Sequence, residues 1–258
     1  MLSVSNLSYA VGAKQLLRDV SVTFAPGRLN LIIGPNGAGK STLVKAVTGQ
    51  IKPQSGTIQY AGVDINAISI LQAARMRAVL SQNIELSFPL TVAEVVMMGR
   101  YPHFAGAPAA KDYEACNAAM SFFDVHDMAA RDYVTLSGGE KQRVHFARVV
   151  AQVWFPVHQG CRYLILDEPL TFLDVRYQFD FLRKITELLR SPNLVVVGVV
   201  HDLNLAAKFA DNITLINEGR ILASGTRTQV LTPANISIAY QLMPVIHTSG
   251  DNMYLFFD

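Results

Sequence analysis

The run Gly34-Pro35-Asn36-Gly37-Ala38-Gly39-Lys40-Ser41 follows the pattern G-x-x-x-x-G-K-[ST]. Each residue type in it has a use toward a polyphosphate. Glycines let successive backbone amides turn inward and wrap phosphate oxygens. A helix opening at the end of such a loop adds the positive end of its dipole. Lys40 supplies a point charge to the terminal phosphates and Ser41 a hydroxyl to Mg2+, with Thr42 completing the set. A second group of reactive types is Asp167-Glu168, which closes the apolar run Leu164-Ile165-Leu166. Two carboxylates in such a place are costly unless a cation or a proton transfer uses them. Asp167 can hold Mg2+ through water. Glu168, placed on the opposite face by strand alternation, can polarise an attacking water as a general base.

Two further places qualify. Ser137-Gly138-Gly139-Glu140 reads as a capping box that opens a helix. Two glycines in a first turn weaken a helix, but they leave free amides for an anion. His201 stands between the apolar run 194–200 and Asp202, a helix-capping residue type. On a loop beside the phosphate strand, its imidazole could reach a terminal phosphate and an attacking water. His103 and His158 are read as surface-loop residues.

These groups need elements to hold them. Alternation over 20–24 marks a half-exposed strand, and 29–33 a more buried one running into the glycine-rich loop. A helix is expected over 41–48 and a short strand over 57–60. From 91 to about 150 no good strand is found; helices suit 91–98, 109–123 and 138–153, with a loop over 101–108. The continuous apolar runs 163–166 and 194–200 fit central parallel strands covered on both faces, with a helix over 175–190 between them. A short helix and an edge strand over 253–257 close the chain. Alternation of strands and helices gives an α/β layer architecture.

Composition narrows the field. The 258 residues are 50% apolar and 16% charged, which excludes a disordered polyelectrolyte. The net charge of +2 is too even to suggest a nucleic-acid patch. Cys116 and Cys161 stand far apart, so neither a disulfide scaffold nor a Cys-rich zinc site is expected. No signal peptide is read at the N-terminus. No apolar stretch approaches the roughly 20 residues of a membrane span.

Leu136-Ser137-Gly138-Gly139-Glu140, followed by Lys141-Gln142-Arg143, resembles the signature motif of the ATP-binding cassette (ABC) ATPases. Other positions fall in that family's order. Tyr9 resembles the aromatic that stacks on adenine, Gln82 the Q-loop glutamine, Thr171-Phe172-Leu173-Asp174 the D-loop and His201 the switch histidine. The likeness spans residue 2 to about 230. It implies a P-loop NTPase (RecA-like) core with an antiparallel β edge and an inserted α-helical subdomain. The core would comprise 1–86 and 155–258 and the helical subdomain 87–154 of a single nucleotide-binding domain.

The resemblance also implies ATP and Mg2+ as ligands. Glu168, His201 and Gln82 would act in hydrolysis, and Ser41, Gln82 and Asp167 would surround the metal. It implies a head-to-tail homodimer in which each phosphate loop faces the partner's signature. Residues 91–103, and 160–169 with the insertion ahead of them, are similar to importers of iron siderophores, haem and cobalamin, the haemin importers above all. The implied role is a peripheral ATPase on the cytoplasmic face of a bacterial inner membrane. It would serve a permease dimer and, through it, a substrate-binding protein, with no contact to nucleic acid or haem itself. A siderophore or cobalamin importer, or a soluble cassette, is the alternative. Glu140 replaces the commonest Gln, Phe172 a smaller residue, and 154–162 is longer than usual.

Overall fold

The computed structural model describes residues 1–81, 89–157, 160–171, 173–191, 193–250 and 252–257. The first third of the chain forms β1 (Leu2–Val11), β2 (Lys14–Phe24), β3 (Leu29–Ile33), α1 (Lys40–Val47), β4 (Ser55–Tyr60), β5 (Val63–Asp64), α2 (Ile70–Met76) and β6 (Arg77–Leu80). Three helices follow: α3 (Val92–Met97), α4 (Ala110–Phe122) and α5 (Gly138–Gln152). The chain then forms β7 (Arg162–Leu166), α6 (Val175–Leu188), β8 (Leu194–Val199), α7 (Leu203–Phe209), β9 (Asn212–Asn217) and β10 (Arg220–Gly225). It ends with α8 (Arg227–Val230), α9 (Pro233–Tyr240), β11 (Pro244–Ser249) and β12 (Asn252–Phe257).

A six-stranded sheet has the order β10-β9-β3-β8-β7-β6. Within it β3 is parallel to β8 and β9, and β7 is parallel to β6 and β8. Every residue of β3, β7 and β8 is buried, as expected of strands covered on both faces. Successive side chains serve two different cores. Leu31, Ile33, Leu164, Leu166 and Val196 face the helical layer. Ile32, Ile165, Val195, Val197 and Val199 pack toward α1 and a four-stranded antiparallel sheet of order β2-β1-β4-β5.

The helical layer is built on α5. Phe146 of α5 stacks on Phe181 of α6 with ring centroids 3.9 Å apart, and Phe123 leans on both rings. Thr91 and Glu94 form a capping box that starts α3. A 3-10 turn, Met98–His103, lies so close to α5 that a Cβ on Gly99 would stand 2.1 Å from the carbonyl oxygen of Arg148. Beside it the buried Arg100 is paired with Asp112 at 3.0 Å and donates to the Ala151 carbonyl at 2.8 Å. These bonds hold the turn, α4 and the end of α5 together.

Three expectations are corrected. The strand over 20–24 starts at Lys14; Asp19, at φ 54°, interrupts its alternation. The expected loop over 101–108 begins inside the 3-10 turn. His103 is half-buried there, its Nε2 lying 2.8 Å from the Gln152 carbonyl, and burial and then Arg100 lower its pKa. The strand expected over 253–257 is β12, an edge strand of a separate two-stranded hairpin with β11. The insertion ahead of β7 contributes Phe155, whose ring lies under Lys111 at 4.7 Å. His158 lies outside the described residues.

Candidate functional site

The loop leaving β3 and entering α1 is shaped by its glycines. Gly34 has φ 149°, and a Cβ there would lie 2.1 Å from the Ile216 carbonyl oxygen. Gly39 has φ 108°, with the Leu16 carbonyl oxygen 2.8 Å from the same hypothetical atom. Only glycine fits either place. Beyond Pro35, the residues Asn36 to Thr42 line a cleft of about 210 Å3 together with Lys14, Leu16 and Glu168. Lys40 is buried and donates to the carbonyls of Gly34 at 2.8 Å and Pro35 at 2.9 Å. Burial pulls its pKa below the usual range, while Glu168 and then Asp167 oppose that pull.

The acidic pair lies just past β7. The amide of Asp167 still bonds to the Leu80 carbonyl at 2.9 Å, prolonging the ladder to β6. Strand alternation does not place Glu168, however. Its φ of 51° is left-handed, so the chain turns there and both carboxylates interact with Lys40. Glu168 Oε1 is 2.8 Å from His201 Nε2. Asp167 Oδ1 is buried with no hydrogen-bond partner among the described residues. Burial and then Glu168 push its carboxyl above the usual range, against Lys45, Lys40 and His201. An orphaned, desolvated carboxylate oxygen and the hydroxyl of the half-buried Ser41 are donor types that a magnesium ion uses when phosphates supply its other ligands. No group of three or more His, Cys, Asp or Glu side chains forms an all-protein metal cage among the described residues.

Tyr9, Ser137, Gly138, Gly139, Glu140 and Asp174 are not among the residues that line this cleft. Ser137 caps α5; its hydroxyl accepts from the Glu140 amide, and Glu140 Oε2 accepts from the Ser137 amide at 2.8 Å. The box therefore exists, at the protein surface. A Cβ on Gly138 or Gly139 would meet nothing within 4 Å, so packing within the chain does not require either glycine. Asp174 caps α6, accepting from the Tyr177 amide at 3.0 Å. Tyr9 sits half-buried on β1 opposite Leu17 of β2, whose side chain leans toward Gly39. Gln82 and Phe172 lie outside the described residues.

The ABC transporter family profile matches residues 17–171 of the chain. The chain belongs to the ABC transporter family. Among similar curated proteins, the Hemin import ATP-binding protein HmuV of Methylobacillus flagellatus is 40% identical over 251 residues, covering 97% of this chain and 93% of that protein. The protein of the same name from Bordetella avium is 43% identical, covering 93% of this chain and 91% of that protein. A solved structure described as an inward-facing conformation of a metal-chelate type ABC transporter superposes with a TM-score of 0.81 at 25% identity, over 100% of this chain and 96% of that one. No described helix of this ABC transporter chain is long and apolar enough to cross a membrane.

Two residues with long-range partners escaped the sequence reading. Tyr240 of α9 lies behind the phosphate loop, where burial pushes its phenol up to about 12 while the amide of Gly34 opposes the shift. Its hydroxyl makes no well-formed hydrogen bond among the described residues. Asn204 of α7 bonds the main chain of β12. No local pattern marks either one, since both partners are remote in sequence.

Proposed function

We propose that this chain is the ATP-hydrolysing subunit of a bacterial ABC importer for haem, working as a pair of copies on a separate membrane permease. The observation that carries the reading is a convergence. Lys40, the unpaired Asp167 oxygen and the Glu168–His201 pair meet at the carboxyl ends of three adjacent parallel strands. Ligands of open α/β sheets bind at such strand ends.

ATP is the substrate in this reading. The amides of Gly34 to Gly39 and the Lys40 ammonium hold its phosphates, which would take over from the two carbonyls that Lys40 now meets. Ser41 and Asp167 would hold Mg2+, whose charge offsets that of the phosphates. Glu168 takes the proton of the attacking water, and its bond to His201 keeps that carboxylate facing the cleft. His201 and Gln82 orient the water and the terminal phosphate, with Tyr9 against the adenine. Ser137, Gly138, Gly139 and Glu140 serve the partner's ATP. Their support is the exposed helix start where two glycines have no internal purpose. Asp174 sits at the seam between the copies.

Haem as cargo is supported by the 40–43% identity to hemin import ATP-binding proteins. Haem itself passes through the permease, and a substrate-binding protein is met only through it. The site is then the cytoplasmic face of the inner membrane. Segments 1–86 and 155–258 act as the nucleotide core and 87–154 as the helical subdomain. The test is Glu168→Gln in the full chain. ATP should bind as before while hydrolysis falls roughly 10²- to 10⁴-fold. Unchanged turnover would remove Glu168 from the role of base.

A further inference from the structure

Apart from its contact with Glu168, His201 is held mainly by its backbone. Its side chain is 47% exposed, so little packing fixes the ring. Upstream, β8 anchors it, with the Val200 amide bonded to the Ile32 carbonyl at 3.1 Å. Downstream it is followed by Asp202, which caps α7 by accepting from the amides of Asn204 and Leu205. The helix α7 has seven residues. A helix that short has no directional stability of its own, so what it packs on sets its direction.

Besides β3 and α6, that surface is the C-terminal hairpin, where β12 meets α7. Leu255 of β12 is paired with Ile246 of β11. Its amide and carbonyl both go instead to the Asn204 side chain: the amide donates to Oδ1 at 2.8 Å, and Nδ2 donates to the carbonyl at 3.1 Å. The Asn204 amide thus takes the place of a neighbouring strand along this edge of the hairpin. Asn204 is otherwise an exposed residue in the first turn, between the buried Leu203 and Leu205.

We propose that Asn204 is a positioning residue for hydrolysis. By clamping the first turn of α7 to β12, it sets the reach of His201 to Glu168. The inference rests on the reading of Glu168 and His201 as the hydrolytic pair. The clamp spans 51 residues of sequence, so the C-terminal hairpin becomes part of the machinery that sets turnover.

The experiment is a double-mutant cycle on the full-length chain: wild type, Asn204→Ala, His201→Ala and the double variant, each with kcat and KM for ATP. Asn204→Ala is expected to lower kcat about tenfold, as small displacements of reacting groups do, with KM within about twofold. In the His201→Ala background the same change is expected to cost nothing further, because the group it positions is gone. Equal loss in both backgrounds, or no loss in the first, overturns the proposal. Full turnover of His201→Ala by itself overturns the hydrolytic reading and takes the proposal with it. If Asn204→Ala lowers the melting temperature too far to assay, Asn204→Asp replaces it. That variant keeps the acceptor for the Leu255 amide and loses the donor, and should show the same background dependence at smaller amplitude. A loss independent of His201 there also overturns the proposal.

Discussion

Replacing both signature glycines separates stability from function by sign. Gly138 and Gly139 are the first two residues of α5, neither has a left-handed backbone, and an added Cβ on either meets no atom within 4 Å. Nothing in the folded chain opposes alanine. Alanine is favoured over glycine in a helix by up to about 1 kcal/mol per residue. It also restricts the unfolded chain, a gain of about 0.4–1 kcal/mol at a compatible site. First-turn positions realise part of this, so Gly138→Ala/Gly139→Ala should gain about 1 kcal/mol in all, or about 2–4 °C in melting temperature at this chain length. Turnover should move the other way. If a partner's phosphate approaches these amides closely, two methyl groups block it, and loss of such donors costs about 10²-fold. Urea titration gives the stability change, steady-state phosphate release gives turnover, and nucleotide titration shows whether the distant phosphate loop still binds. A more stable protein with undiminished turnover would refute the phosphate role. A less stable one would refute the claim that the glycines lack an internal purpose.

The same substitution at Gly99 should have the opposite effect on stability. Its Cβ would stand 2.1 Å from the Arg148 carbonyl oxygen, a main-chain atom in mid-helix. Forcing the 3-10 turn off α5 should cost about 3 kcal/mol, and a denaturation midpoint equal to wild type would contradict the close approach. His145 gives a pH signature. It is buried and bonded to the Tyr133 hydroxyl at 2.7 Å, and burial, then Arg148 and Lys141, lower its pKa to about 4 from 6.5. The unfolded chain then takes up a proton at higher pH than the folded one. The stability owed to neutral His145 is complete above pH 6.5 and drains away as pH falls toward about 4, by an amount of order 3 kcal/mol. In His145→Gln that part of the acid slope should vanish from unfolding curves taken between pH 7 and 4, and an unaltered slope would count against it.

Motifs whose chemistry is local were legible in the sequence. The phosphate loop, the capping box at Ser137 and the cap at Asp202 each depend on residues a few positions apart, and all three stand where expected. The two apolar runs were legible as parallel strands because burial on both faces leaves no alternation to misread. Bulged strands were harder to see. In β1 the buried residues run Leu2, Val4, Leu7; Asn6, at φ 51°, shifts the register and breaks the period of two. The face of Glu168 was misjudged for a related reason, because alternation stops where the strand does and a left-handed turn re-aims the carboxylate. The hairpin's β11 and its tie to Asn204 are set by contacts across 51 residues, which no local window contains.

The order β3-β8-β7 has one more consequence. The phosphate loop, the histidine and the acidic pair leave the same end of three neighbouring strands, so peptide hydrogen bonds act as a ruler between them. Its graduation is the interstrand spacing of about 4.8 Å. Changing the gap between Lys40 and Glu168 would mean breaking ladders buried on both sides. Any working stroke of this protein must therefore leave those three loops fixed relative to one another and take its travel from the layers that flank the sheet.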